Sequence, residues 1–417
     1  MLPERLQNAD VPAPVRSVLD GLEQRGFRAF LVGGCVRDLL RGVPPKDWDV
    51  ATAATPAQVQ ASFPRVLPTG IQHGTVTVLV KGTHVEVTTF RTEDGYVDGR
   101  RPTAVTFRTD VVEDLSRRDL TINAMAFSPT RGELVDPFDG QGDLSRRLVR
   151  AVGDAVARFS EDGLRSLRAV RFATVLDFAL DPDTQAAIPT TLPVFRKVST
   201  ERVRDEFEKT LMSPRAASGL ALLQQVQLLP EFLPEVQPGP AFDPVLRALA
   251  VAPPQLEVRL AVVLLAAAGL DVRAAALRLR FPNRTADLCA TLAREAAAGI
   301  PPADTAVELR RLLARVRPEN APLLEALVVA RAEAVGEGTR ARDFAGRLRD
   351  EAARRPPLDA KALALDGAAI MRALGVGPSP VVGEASRFLV ERVLEDPAAN
   401  TPGRLAALLQ DWATSRR

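Results

Sequence analysis

The chain's 417 residues are too many for one ordinary core, and 46% hydrophobic with 25% charged residues fits a soluble globular protein of two to four domains. A net charge of only +2 means that any nucleic-acid surface must be a local patch. Two distant cysteines, Cys35 and Cys289, allow neither a disulfide framework nor a thiolate metal site, and two histidines, His73 and His84, cannot make a His-rich centre. That usage fits a reducing, cytoplasmic setting. The opening Met-Leu-Pro-Glu-Arg lacks a secretory pattern, and the longest apolar run, Leu260 to Leu270, is too short to span a bilayer. Lysine occurs only at Lys46, Lys81, Lys197, Lys209 and Lys361; codon bias explains the arginine excess as well as phosphate binding does.

Residues 14 to 26 read as an amphipathic helix, with Val15, Val18, Leu19 and Leu22 at helical spacing and Gly26 as its stop. Arg28 to Val32 reads as a strand. Gly33-Gly34 and a short helix, Cys35 to Arg41, follow, so backbone N–H groups are left at a helix start where an anion is favoured. Lys46 to Ala51 reads as a strand on which Asp47 and Asp49 share one face and Trp48 and Val50 the other. Two adjacent carboxylates repel unless a cation lies between them. A solvated turn is the bland alternative.

Thr55-Pro56 is a helix start with a capping threonine. Thr75–Val80 and Thr83–Phe90 flank Lys81-Gly82, a two-residue hairpin signal. On the second strand Glu86 lies opposite Val85 and Val87, where it lines the same cleft as the aspartates or a solvated face. Residues 91 to 110 are polar and turn-rich and read as a mobile loop. In Asp114-Leu-Ser-Arg-Arg-Asp-Leu-Thr-Ile-Asn123, read as a helix, Asp119 and Asn123 are four apart with Arg118 beside them: a binding face or a structural ion network. Asp136 to Leu144 is a turn cluster.

Beyond it the pattern is helical to the end. Phe159 to Phe172 reads as one helix carrying Asp162 and Arg165 as surface neighbours, then Arg168, and Arg171 nearly opposite Asp162; an ordinary intrahelical ion pair is the alternative. Ser199 or Thr200 starts another helix. Prolines then punctuate Ala-, Leu- and Arg-rich helices without a fixed repeat. Gly377-Pro-Ser-Pro-Val-Val-Gly383 reads as a helix connector or a phosphate nest.

Five ordered stretches together resemble the class II tRNA nucleotidyltransferase and bacterial poly(A) polymerase family. They are Gly33–Asp38 with Asp47-Trp48-Asp49, Arg117–Asn123, Asp136–Leu144, Glu161–Arg165 through Phe172, and Thr200–Arg204. The resemblance covers roughly residues 25 to 212 closely. It implies an α+β protein: an N-terminal nucleotidyltransferase palm with a mixed β-sheet and helices, then an all-α C-terminal half. The implied division is a head at 1–155, a neck at 156–212, a body at 213–300 and a tRNA-binding tail at 301–417.

The implied site has Asp47 and Asp49 as ligands of Mg2+, with Glu86 as an acidic catalytic neighbour. Gly34 and Arg37 hold triphosphate, Arg118, Asp119 and Asn123 hold ribose and phosphate, and Asp162 and Arg165 read the base beside Arg168 and Arg171. The implied reaction is template-independent addition of CCA, from CTP and ATP, to the 3′ end of tRNA. The alternatives are an A-only or poly(A) enzyme and a non-catalytic RNA-binding relative. Leu120 stands where the family usually has Phe, and Ser379 where it usually has Gly. No oligomeric state follows.

Overall fold

In a computed structural model describing residues 2–96, 102–267 and 269–416, Ala29–Val32 forms β1, buried at every position. The unbroken apolar run follows from its place in the sheet, where both faces are covered. Ala29 and Leu31 join Val50 and the helix Ala13–Glu23 on one side, while Phe30 and Val32 join Ala51, Val111 and Leu115 on the other. β1 lies between β2 (Asp49–Thr52) and β8 (Ala126–Ser128), antiparallel to both. β2 runs parallel to β5 (Thr83–Thr89), which pairs antiparallel with β4 (Thr75–Val80). With β3 (Val66–Gly70) and β9 (Glu133–Val135) at the edges, the order is β3-β4-β5-β2-β1-β8-β9, a mixed sheet.

The expected hairpin forms through Lys81 (φ 49°) and Gly82 (φ 79°), whose positive dihedrals match the twist of the flanking strands. The helix Pro56–Ser62 has a full capping box between Thr55 and Gln58.

Three local readings need correction. The acidic strand begins at Asp49, not Lys46, and Asp47 lies in the bend before it. The polar segment after Phe90 is not a plain loop: β6 (Arg91–Tyr96) and β7 (Pro102–Phe107) pair antiparallel, Thr92 opposite Thr106. Asp98, Gly99, Arg100 and Arg101, at the tip of that reading, lie outside the described residues. The Asp114–Asn123 block is a short helix, Val111–Ser116, followed by a turn and a 3-10 segment, Thr121–Asn123.

A fourth correction concerns the helix read across Phe159–Phe172. It is two helices, Ala155–Glu161 and Leu164–Leu176, joined at Asp162 and Gly163. β10 (Leu148–Val149) and β11 (Ala179–Leu180) form a small parallel pair near them.

The chain divides into two compact units, Met1–Pro234 and Glu235–Arg417. In the second, the described residues form helices and no strand, and Ile370, Ala385, Leu389, Val393, Leu405 and Leu409 close a core of their own near its end. No helix among the described residues is long and apolar enough to cross a membrane.

Candidate active site

The chain leaves β1 through Gly33 (φ 74°, ψ −126°), a conformation that glycine adopts and side-chain-bearing residues avoid, and enters the helix Gly34–Arg41. A Cβ at Gly33 would lie 2.8 Å from Nη1 of Arg118, so that guanidinium rests directly on the Gly33 backbone. The first turn of this helix leaves N–H groups without intrahelical partners beside a fixed cation, a favourable setting for phosphate.

Asp47 and Asp49 are exposed, whereas Trp48 is half-buried against the core and Val50 is buried, so the alternation expected of the sequence holds. Glu86 stands opposite Asp49 in the parallel register of β2 and β5. Asp49 keeps solvent access, yet the protein packed around its carboxyl raises its pKa; Arg118 opposes that rise, while Glu86 and Asp47 add to it. These four groups therefore share one electrostatic neighbourhood with a surplus of negative charge.

A divalent cation fits here. The donors are hard carboxylate oxygens; among the described residues no three or more His, Cys, Asp and Glu side chains come together as a metal site, so an ion held by Asp47 and Asp49 would need other ligands to complete its shell. Magnesium is characteristically held by one or two carboxylates with water and substrate phosphates completing its shell.

A polar chain links this end to the helix Leu164–Leu176. Arg37 donates from Nη1 to Asn123 Oδ1 at 2.8 Å, and from Nε and Nη2 to Asp38 at 2.9 Å each. Asn123 donates from Nδ2 to Asp119 Oδ1 at 3.5 Å, and Arg168 donates from Nε to Asp119 Oδ2 at 2.7 Å. Asp119 is buried, which disfavours its charge, but Arg168 and its other donors prevail and hold it at about 2. Thus Asp119 and Asn123 do meet, through the turn rather than on an α-helix. Phe172 lies under three of the cations, with Arg171, Arg37 and Arg168 at 3.6, 5.1 and 5.5 Å from its ring centre.

Asp162 and Arg165 are not ion-paired with each other. Asp162 accepts from the Leu164 N–H at 3.0 Å, so it caps the second helix, and from both Nη atoms of Arg202 at 3.1 and 2.7 Å. Arg165, nearly buried, donates to Glu161 at 2.5 Å and to the Arg117 carbonyl at 2.9 Å. Arg171 donates to the buried Glu206 at 2.5 Å.

Arg202, Glu206, Asp38 and Phe172 were absent from the sequence-derived set. For Arg202 and Glu206 a signal existed: they are four apart on the Thr200–Leu211 helix and so point the same way. Their targets, 40 and 35 residues distant, could not be read from that spacing.

Two family models match the chain. Residues 29–150 match the Poly A polymerase head domain, and residues 177–239 match the probable RNA and SrmB-binding site of polymerase A. The crystal structure of the Bacillus stearothermophilus CCA-adding enzyme in complex with CTP is 34% identical, with a TM-score of 0.82, over 97% of this chain and 99% of that one. The chain belongs to the CCA-adding enzyme family.

The CCA-adding enzymes of Limosilactobacillus fermentum and Lactobacillus delbrueckii subsp. bulgaricus are 48% identical over 215 residues and 54% over 192. These alignments cover 52% and 46% of this chain, and the chain spans about half the length of the curated relatives it matches, 54% and 48%.

Proposed function

We propose that this protein adds C and A nucleotides, from CTP and ATP, to the 3′ end of tRNA without a nucleic-acid template, releasing pyrophosphate. The observation that carries the reading is the state of Asp162 and Arg165: each is anchored by a partner of its own and keeps hydrogen-bonding capacity. A carboxylate offers about four acceptor positions. On Asp162, Leu164 and the two Arg202 donors fill three, which leaves room for one amino donor. Cytosine N4 and adenine N6 are such donors. Arg165 retains N–H groups for cytosine N3 or adenine N1. Guanine and uracil present the opposite pattern and would leave polar groups unpaired, at about 1–3 kcal/mol each.

Asp47 and Asp49 would hold the divalent ion that enzymes of this family use, and we infer magnesium. Bound there, it would supply charge neutralisation at the reacting phosphate and a lower pKa for the attacking hydroxyl. Glu86 adds a third negative charge beside them. Gly34 and Arg37 hold the triphosphate, Arg118 lies against the same turn, and Asp119 with Asn123 fixes the ribose and phosphate end. Arg168 and Arg171 brace the base-reading helix. These residues supply position, the larger part of the gain in phosphoryl transfer. In this reading residues 1–155 are the head, 156–212 the neck, 213–300 the body and 301–417 the tRNA-gripping tail, and the protein works in the cytoplasm.

The test is incubation with tRNA ending in no CC, C or CC, each with labelled CTP and ATP and magnesium. Completed CCA ends are expected on all three. A alone on the CC substrate, or long A tails, assigns a different family activity, and incorporation of neither nucleotide defeats the reading.

A further inference from the structure

One buried carboxylate beside the site has no role in the scheme above. Asp114, on the Val111–Ser116 helix, has a fully buried side chain. Its Oδ1 accepts from Nε and Nη2 of Arg117 at 3.1 and 2.8 Å, and from the backbone N–H of Arg91 at 3.4 Å. Its Oδ2 accepts from Nη2 of Arg118 at 3.2 Å.

Two of these donors lead to opposite ends of the site. Arg118 rests on Gly33 and acts on Asp49. Arg117 presents its carbonyl to Arg165. Arg91 is the first residue of β6, where the chain leaves the main sheet. Among the described residues the Arg118 side chain donates to one acceptor, Asp114, and its Nε is buried without a partner. A buried carboxylate survives only where fixed donors replace water, and those donors are in turn fixed by it.

We propose that Asp114 is a positioning residue for nucleotide addition, holding Arg118 at the triphosphate end and, through the Arg117 backbone, Arg165 at the base end. The proposal rests on the CTP and ATP reading above. One charge that sets both ends acts on both nucleotides alike and leaves the grip on RNA unchanged. Asp114→Asn keeps the size but turns an NH2 group toward guanidinium donors, so Arg118 loses its orientation.

The experiment compares the full-length protein with Asp114→Asn, Arg118→Ala and the double variant. It measures kcat and KM for CTP and ATP on trimmed tRNA, affinity for inorganic tripolyphosphate, and KM for tRNA. Expected for Asp114→Asn is a loss of roughly 10–100-fold in kcat/KM, by analogy with the loss when a hydrogen-bonding partner that orients a metal ligand is removed. The loss should be equal for CTP and ATP, with weaker tripolyphosphate binding and an unchanged KM for tRNA. On the Arg118→Ala background Asp114→Asn should add only the smaller loss that runs through Arg117 to Arg165. A folded Asp114→Asn protein with unchanged nucleotide kinetics overturns the proposal, as does an equal loss on both backgrounds. Should that variant not fold, Asp114→Glu decides: it keeps the charge one methylene away, an intermediate loss is expected, and wild-type kinetics overturn the proposal. A wild-type protein that incorporates neither nucleotide overturns the underlying reading instead.

Discussion

At Asp49 the packed protein raises the carboxyl's pKa, Arg118 lowers it, and the carboxylates of Glu86 and Asp47 raise it further. The net upward shift means that the folded chain binds this proton more tightly than the unfolded chain does. Asp49 therefore weakens folding as pH rises above the ordinary carboxylate range, and the penalty grows until pH passes the raised folded-state pKa. Asp49→Asn should raise the melting temperature of metal-free protein at pH 7 while abolishing nucleotide addition; a lowered melting temperature would contradict this. Asp119 has the opposite sign. Held at about 2 against 3.8, it contributes about 2 kcal/mol above the unfolded value, lost as pH falls from about 4 toward 2. Asp119→Asn should remove about that much stability at pH 7 and flatten the acid limb of a denaturation series, whereas an unchanged acid limb would place the stabilisation elsewhere.

At the scale of elements, the joint between β1 and the Gly34–Arg41 helix carries the tightest constraint. Gly33→Ala must either abandon a positive φ or displace Arg118. Strain of this kind costs on the order of 1–3 kcal/mol. The expected outcome is lower thermal stability together with lost CTP affinity; a variant with wild-type CTP binding would show that Arg118 does not depend on that turn. This joint was legible because two glycines between an apolar run and a helical pattern are local signals, and so was the Lys81–Gly82 hairpin. The break at Asp162–Gly163 was not. Periodicity runs through it, and what holds Asp162 out of the helix comes from Arg202, 40 residues on. Likewise the partners of Arg165, Arg168 and Arg171 lie on three segments, so spacing suggested an Asp162–Arg165 pair that the structure replaces with Arg202 and Glu161. The start of β2 was misplaced because its alternation extends into the bend at Asp47.

For the whole molecule, charge was the least informative feature. In the second unit Arg310, Arg311, Arg315, Arg342 and Arg349 pair with Glu351, Glu391, Glu295, Glu333 and Glu325, so the abundance of arginine there serves its internal packing as well as any RNA. The candidate site, in contrast, lies entirely between Gly33 and Glu206, inside the unit Met1–Pro234, which has the mixed sheet and a core on each of its faces. On the proposed division, nucleotide binding should need the first unit alone, while tRNA binding should need the second unit as well as residues 177–239. A protein ended at Pro234 should fold, bind CTP with magnesium at close to full-length affinity by calorimetry, and lose most of its affinity for tRNA. If the shortened chain is folded by circular dichroism yet fails to bind CTP, the second unit completes the nucleotide site. If it keeps full tRNA affinity, the helical unit has no part in gripping RNA, and arginines of the first unit must bear the phosphate contacts.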